Sequence, residues 1–195
     1  FCIGWQQDKC MAGRSIEDMS IAFIGAGNLA TNLAKALYRK GFRIVQVYSR
    51  TKESAQGLAQ TVEAAYTTEL QAVTKEAQLY IVSLKDAAFV ELLPQIVSGK
   101  ENALWVHTAG SIPMNIWQGH VARHGVLYPM QTFSKQRIVN FKVIPCFIET
   151  SDEFAKSVLE DVCGAISNRI YELSSENRKY LHLAAVFACN FANHC

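Results

Sequence analysis

Two glycines, Gly25 and Gly27, lie between a short apolar run and a helix-forming stretch in the segment "IAFIGAGNLATNLAKAL". This order of strand, glycine turn and helix is the context in which parallel sheets bind a dinucleotide. Gly25 permits the tight turn, Gly27 has no Cβ to keep the backbone from a pyrophosphate, and Ala30 replaces the third glycine of the pattern. The helix N-terminus adds free N–H groups and a partial positive charge. A tight turn without a ligand is the alternative; the residues expected to bind the cofactor are Gly25, Ala26, Gly27, Asn28 and Leu29.

The end of the second predicted strand indicates which nicotinamide dinucleotide binds. An NAD site has Asp or Glu there to accept a hydrogen bond from the ribose 2′-hydroxyl, whereas this chain has "YSRTK" at residues 48–52. Ser49 and Thr51 can donate hydrogen bonds to a 2′-phosphate, and Arg50 can pair with it and stack on the adenine. We therefore expect NADP, bound as NADPH; the alternative is that Arg50 and Lys52 are solvated charges at a helix start.

The residues after the fourth and fifth predicted strands are expected to face the nicotinamide, because ligands of doubly wound sheets bind beyond the carboxyl ends of the strands. Small side chains after the fifth strand would admit the ring, and Leu84 would pack on the cofactor. For Lys85 and Asp86 the alternative is a salt-bridged helix start with Asp86 as the cap, and for His107 it is a buried histidine bonded to backbone. The expected cofactor contacts are Ser83, Leu84, Lys85, Thr108, Ala109 and Gly110.

The segment "YPMQTFSK" places polar side chains in a loop after the sixth predicted strand. Loops between two parts of a chain often carry site residues. Gln131 and Thr132 are expected to bind a carboxylate or amide of the substrate, and a hinge at Pro129 is the alternative.

The last predicted helix carries a polar strip on an otherwise apolar sequence. Helical spacing puts Lys179, His182, Val186, Asn190 and Asn193 on one face. Hydride reduction of a carbonyl or imine needs a proton donor, and histidine has a suitable pKa. The candidate catalytic residues are therefore His182 first, then Lys179, with Asn190 projecting into the cleft; an interhelical hydrogen-bond network or a solvent-facing stripe is the alternative.

Short apolar runs alternate with longer amphipathic ones, which is typical of βαβ units on a parallel sheet. The predicted strands are residues 20–24, 43–49, 64–67, 77–84, 103–107, 125–128, 143–148 and 169–172. The predicted helices are residues 28–40, 51–60, 69–75, 86–97, 114–123 and 152–166, with a last one from residue 175; Pro94 predicts a kink or break. The fold class is α/β, a Rossmann doubly wound and mostly parallel sheet followed by the start of an α-helical C-terminal domain.

The expected domain limits follow the same pattern. We expect residues 1–18 to be a leader or disordered tail and residues 19–150 to be the NADP-binding Rossmann domain. Residues 151–195 are expected to be the start of a C-terminal domain that is truncated, since the sequence stops inside an apolar helical pattern.

Composition excludes several classes of function. Of the 195 residues 50% are hydrophobic and 18% are charged, the balance of an ordinary globular protein. The net charge of +2, without a basic stripe, argues against nucleic acid and membrane surfaces as partners. The six cysteines show no metal-ligand spacing, and no apolar run suggests a membrane span or signal peptide. We expect no metal, reduced thiols and a cytoplasmic location.

Several motifs together resemble a known superfamily. The run from "IAFIGAGNLATNLAKAL" to "VYSRT", followed by "IVSLKD", "HTAGS" and "YPMQTFSK", is similar to the NADP-binding half of pyrroline-5-carboxylate reductases and F420-dependent NADP oxidoreductases. With "HLAAVFACNF" near the end, the chain most resembles a group of Rossmann-like proteins with a C-terminal helical domain of unknown function. The resemblance implies an NADPH-dependent reductase whose helical domain forms a homodimer and closes the site.

Three functions remain open from the sequence. The first is an NADP-dependent oxidoreductase that transfers hydride between the nicotinamide and a small carbonyl or imine substrate, similar to pyrroline-5-carboxylate reductase. The second is a sensor or structural subunit that binds NADP without turnover. The third is hydride exchange between NADP and a deazaflavin, for which the small side chains of "HTAG" are suitable.

Overall fold

The computed structural model describes residues 18–135 and 139–192. Residues 1–17, for which a leader or tail is predicted, lie outside the described residues, as do residues 136–138 and 193–195. The side chains of residues 189–192, and therefore that of the candidate Asn190, are not described either.

The described residues form eight strands and five α-helices. The strands are β1 (Ser20–Ile24), β2 (Arg43–Tyr48), β3 (Ala65–Thr67), β4 (Leu79–Val82), β5 (Leu104–His107), β6 (Arg123–Pro129), β7 (Cys146–Thr150) and β8 (Ile170–Glu172). The helices are α1 (Asn28–Arg39), α2 (Lys52–Thr61), α3 (Asp86–Val97), α4 (Glu153–Ile166) and α5 (Ser175–Ala192).

All eight strands belong to one sheet of order β3-β2-β1-β4-β5-β6-β7-β8. The first six are parallel to one another, β7 pairs antiparallel to β6, and β8 pairs parallel to β7. The order of the first six strands is that of a Rossmann fold, with its switch point between β1 and β4. The predicted fold class, a mostly parallel doubly wound sheet with a helical C-terminal segment, is confirmed.

Apolar side chains cover both faces of the sheet, because successive residues of a strand point to opposite sides. In β1, Ile21 and Phe23 pack in the core that includes α1 and α4, whereas Ala22 and Ile24 pack in the core beneath α3. Strands β4 and β5 are buried along their whole length. This two-sided burial explains why these strands are almost continuously apolar in sequence.

Two predicted helices are wrong. Residues 69–75 form only a 3₁₀ turn at Leu70–Ala72, and residues 114–123 form a 3₁₀ turn at Met114–Trp117 before β6 begins. The second segment is too short for a helix because Gly119 turns the chain with a φ of 79°. The buried Trp117 indole also donates a hydrogen bond of 3.2 Å to the Gly125 carbonyl, which ties the turn to β6. The remaining element limits differ from the predicted ones by three residues or fewer.

Helix α3 continues through Pro94 to Val97, so Pro94 does not break the helix, and a kink at Pro94 stays a prediction. Beyond residue 150, α4 packs on β7 and leads into β8, so the sheet continues past the predicted domain limit. The division of the chain at residue 150 stays a prediction. Within the described residues, no helix is both long enough and apolar enough to span a membrane.

Candidate active site

The turn after β1 requires a glycine at residue 25. Gly25 has a φ of 120°, in the region that residues with a side chain rarely adopt. Its N–H donates a hydrogen bond of 2.8 Å to the Tyr48 carbonyl. An added Cβ would lie 2.9 Å from the Ser83 carbonyl carbon and nearer still to the oxygen. The ends of β1, β2 and β4 therefore meet at Gly25 with no room for a side chain.

Gly27 is the N-cap of α1 and is exposed, with a φ of −76° that any residue can adopt. No side chain caps the helix, and a Cβ added at Gly27 would have no atom within 4 Å. The first N–H groups of α1 thus border open space at the switch point, where an anion would be stabilised. Asn28 and Leu29 form the first turn of α1, Ala26 is buried between them and β1, and Ala30 is fully buried.

The end of β2 carries the three residues predicted to contact the 2′-phosphate. Ser49 is half-buried and donates its backbone N–H to Thr67, while Arg50 is exposed and Thr51 is the N-cap of α2. A further cation reaches the start of α2 from the loop after β6, since Lys135 Nζ lies 3.4 Å from Ser54 Oγ.

The segments after β4 and β5 lie side by side at the same edge of the sheet. Ser83, Leu84 and Lys85 follow β4, and the Thr108 N–H donates a hydrogen bond of 3.0 Å to the Val82 carbonyl. The predicted contacts at Thr108, Ala109 and Gly110 follow β5 and adjoin β4 in this way.

Lys85, rather than Asp86, is the N-cap of α3. The Asp86 carboxylate instead accepts a hydrogen bond from the Ser111 hydroxyl, which joins the start of α3 to the segment after β5. The alternative of Asp86 as a cap is therefore wrong.

His107 is a core residue. Its ring is completely buried between Phe89 and Trp117, and its Nδ1 accepts a hydrogen bond of 3.2 Å from the Ala109 N–H. Burial, together with the positive charge of Arg178, lowers the pKa of His107 to about 3. His107 is neutral at physiological pH, as expected of a buried histidine bonded to backbone.

This shifted pKa predicts a pH dependence of stability. In the unfolded chain His107 takes up a proton near pH 6.5, whereas in the folded chain it does so only near pH 3. Stability contributed by neutral His107 is therefore present above pH 6.5 and is lost progressively as the pH falls toward 3, by at most about 1.4 kcal/mol per pH unit. Urea unfolding between pH 4.5 and 7.5 should show a shallower pH dependence for His107→Leu than for the unmodified protein. Burial also lowers the pKa of His124, so the stability of His107→Leu should still depend on pH to some extent. If the stability of His107→Leu and that of the unmodified protein change equally with pH, the prediction is contradicted.

A cleft of about 420 Å³ lies between the end of β6 and helix α5. His182 is half-buried at its wall, and its Nδ1 lies 2.9 Å from the hydroxyl of the buried Tyr128. The two rings meet edge to face with centroids 5.8 Å apart. The predicted substrate residues Gln131 and Thr132 also border this cleft; its lining is Tyr128, Met130, Gln131, Thr132, His182, Ala185, Val186 and Ala188.

Gly110 connects this cleft with the predicted nicotinamide site. A Cβ added at Gly110 would lie 2.5 Å from His182 Nδ1 and 2.6 Å from its Cγ. The missing side chain therefore makes room for the imidazole, a role not anticipated from the sequence. It also brings His182 to the segment after β5, next to where the nicotinamide is expected.

The other candidates on α5 are placed differently. Lys179 is exposed and is not among the residues that line the cleft. Arg178, its neighbour, is buried and faces the sheet one helical turn before His182. The sequence interpretation missed Tyr128 as a partner of His182, and it missed Arg178, although the spacing of four residues to His182 was a usable signal.

Two family models match the chain. Residues 20–109 match the family described as "NADP oxidoreductase coenzyme F420-dependent", and residues 144–195 match a domain of unknown function, DUF2520. Among curated proteins, no sequence matches the chain.

Solved structures share the fold over most of the chain. BF3122 from Bacteroides fragilis, provisionally assigned as an NADP oxidoreductase, is 68% identical with a TM-score of 0.90, covering 92% of this chain and 70% of BF3122. An imine reductase from Myxococcus stipitatus in complex with NADP⁺ is 16% identical with a TM-score of 0.70, covering 90% of this chain and 62% of that protein. A pyrroline-5-carboxylate reductase from Coxiella burnetii is 21% identical with a TM-score of 0.65, covering 80% of this chain and 59% of that protein. The last two likenesses show the common fold.

Proposed function

The chain belongs to the NADP oxidoreductase family that includes BF3122, and on this premise we propose that it transfers hydride between NADPH and a small carbonyl or imine substrate. The observation that carries the proposal is the glycine turn at the switch point. There Gly25 lets three strand ends converge, and Gly27 leaves the first N–H groups of α1 facing open space. This arrangement suits a pyrophosphate, because the N–H groups and the helix dipole both favour an anion.

The residues at the end of β2 favour NADPH over NADH. Arg50 is exposed beside the N-cap of α2, and its guanidinium can form two hydrogen bonds with a 2′-phosphate. Ser49 and Thr51 add hydroxyl donors, and Lys135 brings a further positive charge to the first turn of α2. A carboxylate at this strand end, as NAD sites have, would repel the phosphate.

His182 is the proposed proton donor. When bound, NADPH supplies a hydride from nicotinamide C4 to the electrophilic carbon of the substrate. The π electrons of the C=O or C=N bond move to the heteroatom, which takes the Nε2 proton of a protonated His182, leaving the imidazole neutral. Tyr128 holds the other ring nitrogen, Nδ1, at 2.9 Å and so orients Nε2.

The remaining residues of the cleft would orient the substrate. Gln131 and Thr132 offer polar groups, and Met130 and Val186 offer apolar contacts. A cyclic imine such as pyrroline-5-carboxylate is the first substrate to test, because the Coxiella reductase named for it has this fold.

We also propose that the protein acts in the cytoplasm and as a homodimer through its C-terminal helical part. The large apolar side chains of Tyr180, Leu183 and Phe187 on α5 are exposed, as expected of a helix face that a second subunit would cover.

A second candidate is hydride exchange between NADP and a deazaflavin, which the description of the matching family model favours. An NADP-binding sensor without turnover is the third. The deciding experiment measures NADPH oxidation by the full-length protein against a panel of cyclic imines, keto acids and a deazaflavin, alongside the thermal shift caused by NADPH. Turnover of an imine or carbonyl compound supports the proposal, turnover of deazaflavin alone supports the second candidate, and a thermal shift without turnover supports the sensor.

The preference for NADPH makes Arg50→Ala informative. We expect this variant to bind NADPH about 10- to 100-fold more weakly, because a charge-assisted pair with the phosphate contributes roughly 1.5–3 kcal/mol. NADH affinity should change less than about threefold, since NADH lacks the phosphate. Calorimetric titration with both cofactors measures the two affinities.

Arg39→Ala is a matched control, because Arg39 is an exposed arginine at the far end of α1. It should alter neither affinity. Equal losses of NADPH and NADH binding in Arg50→Ala would contradict the assignment of Arg50 to the 2′-phosphate.

A further inference from the structure

Arg178, on the second turn of α5, is almost completely buried, with 1% of its surface exposed. Its Nη1 donates to Glu149 Oε2 at 2.6 Å, and its Nη2 donates to the Ile112 carbonyl at 2.7 Å. The guanidinium therefore bonds at once to strand β7 and to the segment that follows β5.

Ser175, the first residue of α5, closes this network. Its hydroxyl donates to Glu149 Oε2 at 2.6 Å and accepts from the Met114 N–H at 2.8 Å. Arg178 Nη2 also lies 3.2 Å from the Ser175 hydroxyl. The first turns of α5 are thus attached to β7 and to residues 112–114 by directional bonds rather than by apolar packing alone.

His182 follows Arg178 by four residues, so both side chains lie on the same face of α5. The His182 ring has little room to move, because its Nδ1 lies 2.9 Å from the Tyr128 hydroxyl and the ring occupies the space left by the missing side chain of Gly110. A rotation or shift of α5 of about 1 Å would separate His182 from Tyr128 or push it into Gly110.

Burying an arginine is costly, and apolar residues of similar volume usually hold a helix to a sheet at least as well. In addition, Arg178 Nε has no hydrogen-bond partner among the described residues. What the guanidinium adds over an apolar residue is geometry, because its planar fork of donors meets Glu149 and Ile112 in fixed directions.

We propose that Arg178 is a positioning residue that holds His182 against Tyr128 and Gly110. The proposal rests on the proposed function for its effect on turnover, because His182 is the proton donor there. The position of the imidazole itself does not depend on that function, and it can be measured separately.

The test compares Arg178→Lys in the full-length protein with a matched control, Lys156→Gln. Lysine keeps the charge opposite Glu149 but lacks the fork that also reaches Ile112. Lys156 is half-buried and forms an ion pair with the exposed Glu172 between α4 and β8, and neither residue lines the cleft. Nitrogen NMR of ¹⁵N-histidine-labelled protein reports the hydrogen bond at His182 Nδ1, and Tyr128→Phe supplies the reference spectrum for the broken contact.

We expect Arg178→Lys to move the His182 signals toward those of Tyr128→Phe, and Lys156→Gln to leave them unchanged. With a substrate of the proposed class, kcat of Arg178→Lys should fall about 10- to 100-fold with a shifted pH profile, while the Kd for NADPH stays within about twofold. In a His182→Ala background the same substitution should cause no further loss of kcat, since it acts through His182.

Unchanged His182 signals in Arg178→Lys would overturn the proposal, as would an equal loss of kcat in the His182→Ala background. If no substrate is turned over, or if His182→Ala keeps full kcat, the proposed function fails while the NMR result still decides the positioning role. If Arg178→Lys does not fold, Glu149→Gln decides in its place, because it removes the carboxylate charge that binds Arg178 Nη1 and the Ser175 hydroxyl while Arg178 itself is kept. Unchanged His182 signals in Glu149→Gln then overturn the proposal.

Discussion

Gly25→Ala is expected to lose about 3 kcal/mol of stability or more, together with its affinity for NADPH. The alanine Cβ would lie 2.9 Å from the Ser83 carbonyl carbon, a backbone atom that cannot move without displacing β4. The φ of 120° adds strain for any residue with a side chain. Urea unfolding measures the stability, and calorimetry on the remaining folded protein measures the affinity.

Gly27→Ala separates binding from folding in the same turn. Gly27 has an ordinary φ of −76° and no atom within 4 Å of an added Cβ, so we expect a stability change of about 1 kcal/mol or less. The methyl group would nevertheless occupy the space through which a pyrophosphate approaches the backbone, and NADPH affinity should fall at least about tenfold.

We therefore expect Gly25→Ala to lose stability and Gly27→Ala to lose mainly NADPH affinity. If Gly27→Ala binds NADPH as tightly as the unmodified protein, the pyrophosphate does not lie on this turn. If Gly25→Ala is as stable as the unmodified protein, the close approach of β1 to β4 is not the reason for the glycine. Gly57→Ala is a control for the general effect of replacing glycine, because Gly57 lies within α2 and an added Cβ has no neighbour there.

The second large effect is expected on catalysis, when His182 of α5 is replaced. His182→Ala should reduce kcat about 10²- to 10⁴-fold, the usual contribution of general acid catalysis. The Kd for NADPH should change little, because His182 lines the cleft and is not part of the glycine turn proposed to bind the pyrophosphate. Stopped-flow measurement of NADPH oxidation with a saturating imine separates the chemical step from binding.

Tyr128→Phe and Gly110→Ala test the surroundings of His182 without removing it. Tyr128→Phe loses the 2.9 Å contact with Nδ1 and should lower kcat by about tenfold, a smaller effect than that of His182→Ala. Gly110→Ala should also lower kcat, since its Cβ would lie 2.5 Å from His182 Nδ1. A loss of kcat in Lys179→Ala but not in His182→Ala would transfer the proton-donor role to Lys179.

Much of the fold could be predicted from local patterns. Apolar strands such as β4 and β5 are recognisable because both faces of a parallel sheet are covered, and Gly25 marks a turn that residues with a side chain cannot form. Prediction was poorer for residues 114–123, where the spacing suits a helix. The positive φ at Gly119 and the bond from Trp117 to Gly125, both tertiary features, convert this segment into a turn that leads into β6.

Some features of the candidate site could likewise be predicted from local sequence, and others could not. The glycine turn and the segments that follow each strand could be predicted from local sequence, because a parallel sheet brings the carboxyl ends of its strands to one edge whatever the details of packing. Local sequence does not predict that His182 contacts Tyr128, 54 residues earlier, or that Arg178 pairs with Glu149, 29 residues earlier, because both contacts depend on how distant segments pack. Helical periodicity specifies which residues share a face of α5, but it leaves free the rotation of the helix against the sheet. That rotation depends on contacts between distant segments, which is why Arg178 rather than Lys179 faces inward.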